Sequence, residues 1–247
     1  MLSAVALIPS APVMVTPLVA GAAAELAELN TAVLNAATAL PDAWVAVGVG
    51  ETDEVVGSDA VGTFAGFGAD IRVGLRPGSD GVPARLPLCA LITGWVRGRA
   101  NLAARADVRV YSKDHGADAA LALGRALRVE LDGAAESIGV LIVADGANTL
   151  TPPAPGGHDP DSVPVQEALD DALAAGDVAA LIDLPVGILG RVAYQVLAGL
   201  TEPGPAAARE LYRGAPYGVA YFVGVWTPVL GVPPLAGESA ATRESTE

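Results

Sequence analysis

At 247 residues the chain is long for one domain but within reach of a single α/β unit, and no charge run or Ser/Gly tract marks a second one. Hydrophobic residues make up 52% of it and charged residues 17%, enough apolar surface for a large core and too much for a disordered chain. The formal charge of −14, with Lys113 the only lysine, repels phosphate backbones and anionic headgroups, so neither nucleic acid nor a membrane surface is expected as a partner.

Residues 2–8 are a short apolar run stopped by Pro9, which predicts a strand entering a proline-punctuated loop with Pro12 and Pro17. Residues 20–40 are rich in Ala and Leu, with Leu26, Leu29, Val33 and Leu34 at helical spacing. Buried strands are expected at 43–49 and, after the glycine-punctuated stretch 62–68, at 70–75. A helix follows at 87–99, a strand at 108–111, and a helix at 116–127 just beyond the turn Asp114-His115-Gly116. The cleanest buried strand is 138–144, which runs into Asp145 and a long loop holding Pro152, Pro153, Pro155, Gly156 and Gly157. Helical patterns occupy 162–184 and 185–200, a β-rich segment 217–226, and a polar tail 236–247 is expected to fray, leaving 1–235 as the domain.

Strands alternating with helices predict an α/β domain with a central, mainly parallel or mixed sheet and helices on both faces. Ligands in such sheets sit where strands meet their following loops, here 9–17, 50–58, 112–116, 145–160 and 213–216. Cys89 is the only cysteine, so no intrachain disulfide and no cysteine-based zinc site can form, and a reducing, cytoplasmic setting fits. Ala22-Ala23-Ala24 resembles a signal-peptidase site, but the stretch before it has no basic residue and is broken by Pro9, Pro12 and Pro17. No segment offers the roughly 18 unbroken apolar residues of a membrane span.

Two histidines, His115 and His158, are present, and neither has another histidine at metal-ligand spacing. The favoured readings are a turn histidine that donates a hydrogen bond for His115 and a surface histidine for His158. Asp145 closes a buried strand, the place where α/β enzymes put catalytic carboxylates and also where an Asp pins the following loop. Glu51, Asp53 and Glu54 follow another strand end and form an acidic group suited to a hard cation or simply to solvent. Gly48-Val49-Gly50 lacks the full dinucleotide fingerprint, and no Walker loop, G-x-S-x-G elbow or C-x-x-C motif is present.

Four segments carry a family resemblance. Leu7-Ile8-Pro9-Ser10-Ala11-Pro12 resembles the strand and Pro-His-Pro-Pro opening of the LigB-type class III extradiol dioxygenases, and Asp114-His115-Gly116 resembles their Asp-His-Gly turn. The most specific segment runs from Asp145-Gly146-Ala147-Asn148-Thr149-Leu150-Thr151 to Ala154-Pro155-Gly156-Gly157-His158-Asp159-Pro160. It is similar to the family's Gly-Asp-Leu-Ser-His-x-Leu-Thr segment and the Ala-Pro-Gly-Gly-Tyr-Asp-Pro that follows. Ala215-Pro216-Tyr217-Gly218-Val219-Ala220-Tyr221 is similar to the approach to its closing strand. The four occur in the family's order and span nearly the whole chain.

The resemblance implies an iron-dependent ring-cleavage reaction whose cofactor is ferrous iron held by two histidines and a glutamate, with a further histidine as acid and base. Matched residue by residue, that machinery is missing. Ser10 stands for the first metal histidine, Glu51 lies nearest the second, Gly214 (or Arg213) stands for the metal glutamate, and Asn148 for the acid/base histidine. The expectation is therefore a non-catalytic LigB-like protein without metal or cofactor, its cleft filled or reused for a small-molecule ligand or a partner. The alternative is an enzyme with a relocated site around Asp114, His115 and Asp145, with Asn148 or Glu51 assisting. A homodimer is implied by the family's habits, and a partner supplying the active residues across an interface is the weakest reading.

Overall fold

The computed structural model describes residues 1–18 and 24–229. The start of the helix expected from residue 20, the Ala22-Ala23-Ala24 stretch up to residue 23, and the tail 236–247 lie outside the described residues. Among the described residues nine strands and five α-helices follow in the order β1 (Leu2–Ile8), α1 (Ala27–Ala37), β2 (Ala43–Gly50), β3 (Glu54–Val56), β4 (Val61–Thr63), β5 (Arg72–Gly74), α2 (Leu88–Ala100), β6 (Arg105–Ser112), α3 (Ala117–Asp132), β7 (Ile138–Val143), α4 (Ser162–Ala175), α5 (Arg191–Thr201), β8 (Ala207–Gly214) and β9 (Tyr221–Thr227).

Seven strands form one mixed sheet in the order β3-β6-β2-β7-β1-β9-β8. β6, β2, β7 and β1 are mutually parallel, while β3, β9 and β8 pair antiparallel at the flanks. The central strands read as unbroken apolar runs because both faces are covered. Leu141 and Val143 of β7 pack with Ala6 and Ile8 of β1 toward α1 and α2, while Val140 and Ile142 pack with Val5 and Leu7 toward α3, α4 and α5. The single α/β domain with a mixed sheet and helices on both faces is thus what the alternation predicts.

Several boundaries differ for physical reasons. The strand expected at 70–75 forms only Arg72–Gly74 and pairs with Val61–Thr63 in a separate two-stranded sheet, outside the central one. The helix expected to reach residue 184 ends at Ala175, where Gly176 takes a left-handed φ of 72° and its N–H returns to the carbonyl of Ala172. Residues 185–190 are not helical, because the N–H groups of Leu189 and Gly190 are spent on the carbonyls of Gly146 and Asp145. β8 carries Arg209, Glu210 and Arg213 on an edge strand, so no apolar run announces it.

The closest helix contact joins α3 and α5 through glycines. A Cβ on Gly199 would overlap the carbonyl of Leu121, and one on Gly124 would overlap the carbonyl of Val196. Gly199→Ala is expected to cost about 3 kcal/mol by overpacking, seen as a lower urea midpoint with unchanged slope. Gly98→Ala in α2, where a Cβ meets open space, is expected to be neutral or slightly stabilising. Equal effects of the two substitutions would rule out this account of the helix contact.

Candidate functional site

Parallel strands bring their carboxyl ends to one edge of the sheet, and there the chain leaves in opposite directions. β1 and β2 feed the face of α1 and α2, while β6 and β7 feed the face of α3, α4 and α5. Neighbouring strands that diverge in this way open crevices between them, at β1/β7, β7/β2 and β2/β6. Ser10 follows β1, Glu51 follows β2, Asp114 and His115 follow β6, and Asp145 and Asn148 follow β7. Gly214 reaches the same edge from β8, opposite Tyr221 at the start of β9. The candidate residues therefore share an edge, but not a single cluster.

Asp145 sits at the β1/β7 crevice, where its Oδ1 accepts the N–H of Ser10 at 2.8 Å. Burial pushes its carboxyl up to about 7, opposed only by that one donor. The side chain keeps part of its surface open through the crevice. Its charge adds to the burial that raises the phenols of Tyr194 and Tyr221. The loop beyond it is held at each step: Gly146 N–H to Ala220 O, Ala147 N–H to Gln166 Oε1 at 2.8 Å, and Gly190 N–H to Asp145 O. Gln166 is 4% exposed and donates in turn to Asp170, whose carboxyl burial raises to about 6. Neither Gln166 nor Tyr221 stood out in the sequence, since a glutamine on an amphipathic helix and a tyrosine in an apolar strand carry no motif.

His115 belongs to a different group. Its Nε2 lies 2.8 and 2.9 Å from the two carboxylate oxygens of Asp53, and Asp53 Oδ1 also accepts the N–H of Ser112 at 2.7 Å. The Ser112 amide and then the His115 contact hold Asp53 below the usual carboxylate range, against some burial. An ionised carboxylate only accepts, so Nε2 carries the proton in this contact. Glu51 is taken by Lys113, whose Nζ approaches both its oxygens at 2.7 and 2.6 Å. Asp114 is exposed, and its N–H is bonded to Ser112 Oγ within the turn. His158 is exposed as well. The relocated trio of Asp114, His115 and Asp145 is not joined: His115 goes to Asp53 and Asp145 to Ser10.

The residues matching the family's iron ligands do not fit ferrous iron. Gly214 offers no donor, and a Cβ there would sit 2.5 Å from the Tyr212 hydroxyl. Ser10 offers a neutral hydroxyl, and the oxygens of Glu51 are engaged by Lys113. Arg213, the other position for the glutamate, is a cation bound to Asp171 and Glu210. Asn148 cannot exchange protons near neutrality, and Gly156 packs against its side chain. Among the described residues no three His, Cys, Asp or Glu side chains converge as a metal shell.

On this edge a cleft of about 790 Å³ opens beside the end of β2. Val49, Gly50 and Glu51 form one wall, Thr63, Gly66 and Phe67 a second, and Arg85, Leu86, Leu88 and Leu91 a third. Just before the first wall β2 packs tightly on α2: Gly48 has no side chain because a Cβ would collide with Cys89. That is why glycine recurs at this strand end without a nucleotide motif. Burial pushes the Cys89 thiol up to about 12, and the Glu54 carboxylate adds a little to the effect.

The raised carboxyl of Asp145 has a definite pH signature. A folded-state value above the unfolded one means its stability contribution is full below about pH 4 and is lost as pH rises through about 7. Asp145→Asn keeps an acceptor for Ser10 N–H but cannot ionise. The variant is expected to match the parent in urea stability at low pH and to exceed it at pH 8, by up to about 4 kcal/mol. A parent-minus-variant difference that is flat from pH 4 to 8 would show that the carboxyl is not buried in this way.

No protein-family model matches the chain, and no curated protein matches it in sequence. Among solved structures it is similar to the uncharacterized protein JW3007 from Escherichia coli K12, with a TM-score of 0.54 at 12% identity over 90% of this chain and 98% of that one. At that identity the likeness shows the fold alone. No helix among the described residues is long and apolar enough to cross a membrane. The chain is a single α/β domain built on a seven-stranded mixed sheet with helices on both faces.

Proposed function

We propose that this protein is a LigB-like scaffold that has lost iron-dependent ring cleavage and binds a small molecule at the carboxyl edge of its sheet. The observation that carries the reading is the cleft of about 790 Å³ at the end of β2, a size and position typical of small-molecule sites in α/β proteins. Its walls are mostly apolar, with a few polar groups at the rim. The family resemblance is supported by the order of the four sequence segments and by the gathering of Ser10, Glu51, Asn148 and Gly214 along one sheet edge. The loss of chemistry follows from the donors themselves, which supply no imidazole and no free carboxylate where the family has its ligands.

A second reading, a metal-independent acid-base enzyme, is favoured by Asp145, whose carboxyl near neutrality suits proton transfer in a crevice. It places the chemistry at β1/β7, away from the residues that line the cleft at β2. Activity with a bell-shaped pH profile lost in Asp145→Asn would favour it over binding alone.

The protein dialysed against ferrous, manganous and zinc ions is expected to hold far less than one metal per chain and to consume no oxygen with catechol. The neutral dye Nile red is expected to fluoresce on binding the parent. Gly66→Trp, placed at a cleft-lining position where a Cβ meets open space, is expected to abolish that signal without loss of fold. One metal per chain with catechol-dependent oxygen uptake overturns the reading, and an unchanged dye signal in Gly66→Trp removes the cleft from it.

A further inference from the structure

Charge pairing singles out one arginine of the cleft. Carboxylates outnumber basic side chains 28 to 14, and almost every arginine among the described residues is engaged. Arg76, Arg105, Arg109, Arg125, Arg128 and Arg213 are in ion pairs. Arg72, Arg97, Arg99 and Arg191 donate to backbone carbonyls. Among the described residues Arg85 and Arg209 have no such partner, and Arg85 is the one that lines the cleft. A free guanidinium beside an apolar wall, in a chain with a twofold excess of carboxylates, is a receptor for a ligand carboxylate.

The opposite charge comes from a different wall. Glu51 is neutralised by Lys113, but Glu54, on β3, has no cationic partner among the described residues and lines the same cleft. The same cleft is lined by Val49, Leu86, Leu88 and Leu91, and by Phe67, which is 45% exposed and rests edge-on against Phe64. The negative field of the whole chain disfavours ligands of net negative charge and tolerates a neutral pair of charges.

Building on the cleft reading above, we propose that the cleft takes a zwitterion with an apolar body, an α-amino acid with a large aliphatic side chain, its carboxylate on Arg85 and its ammonium on Glu54. The apolar wall of β2 and α2 holds the side chain. Both charges must be present on one molecule, because a lone carboxylate faces Glu54 and a lone amine faces Arg85.

The test is titration of the full chain, by calorimetry or by NMR, with L-leucine, with 4-methylpentanoate, which lacks the amine, and with 3-methylbutylamine, which lacks the carboxylate. L-leucine is expected to bind at least about tenfold more tightly than either analogue, and Arg85→Gln and Glu54→Gln are each expected to weaken it about tenfold. Arg85→Gln should also narrow the gap to the amine, and Glu54→Gln the gap to the acid. Equal binding of all three probes, or leucine binding untouched by both substitutions, overturns the proposal. Failure of leucine to bind while Nile red binds the parent and not Gly66→Trp overturns the ligand class and leaves the cleft reading standing. Failure of the dye as well removes both.

Discussion

Burying a carboxylate at the end of β7 governs how the whole carboxyl edge is assembled. Asp145 leaves the most deeply buried strand, and its side chain takes the N–H of Ser10, which fixes how the chain departs from β1. Its carbonyl takes the N–H of Gly190, which keeps residues 185–190 out of helix, and the next two residues bind Ala220 and Gln166. One short loop thereby ties β1, β9, α4 and the approach to α5. The desolvation that raises the Asp145 carboxyl accompanies that tie, and a single N–H donor opposes it.

The edge is divided by the same topology. The β1/β7 crevice narrows on the partly open Asp145, with Tyr194 and Tyr221 close by, and Tyr212 stands over Gly214. Tyr217, at a φ of 63°, and Gly218, at 75°, make a sharp reversal that leads the chain into β9, and the Tyr217 hydroxyl donates to Glu25. A bulky residue in the left-handed region is unusual and is kept only where its surroundings demand it. On the other side of β7, the excursion of β4, β5 and the turn at Phe67 leans over α2 and leaves open space beside β2. Of the positions that the resemblance matches to iron ligands, Gly214 has no side chain, and Glu51, engaged by Lys113, lines the open volume. The proposed binding role follows from that division.

Two polar pairs at the β2/β6 crevice have a structural role that their chemistry alone does not announce. Asp53 reaches across to Ser112 N–H and His115, and Lys113 reaches back to Glu51, so the β2 and β6 loops are stitched together from both sides. Asp53, legible in the sequence as part of an acidic group suited to a cation or to solvent, anchors a turn. Arg191 extends the stitch by donating to the carbonyl of Lys113.

The sequence by itself determined the fold class, because period and composition are local properties. The apolar runs of β1, β2 and β7 and the Ala/Leu helices between them leave few arrangements besides a covered parallel core. It also determined that Ser10, Asn148 and Gly214 lack the chemistry of iron ligands, since that is a matter of residue type. The tertiary structure alone decided the partners: that His115 meets Asp53 and not Asp145, that Gln166 holds the loop from α4, that β8 completes an edge, and that the cleft lies at β2. The His115 and Gln166 contacts join residues 62 and 19 positions apart, set by which strand ends become neighbours in the sheet, and no local pattern encodes that order.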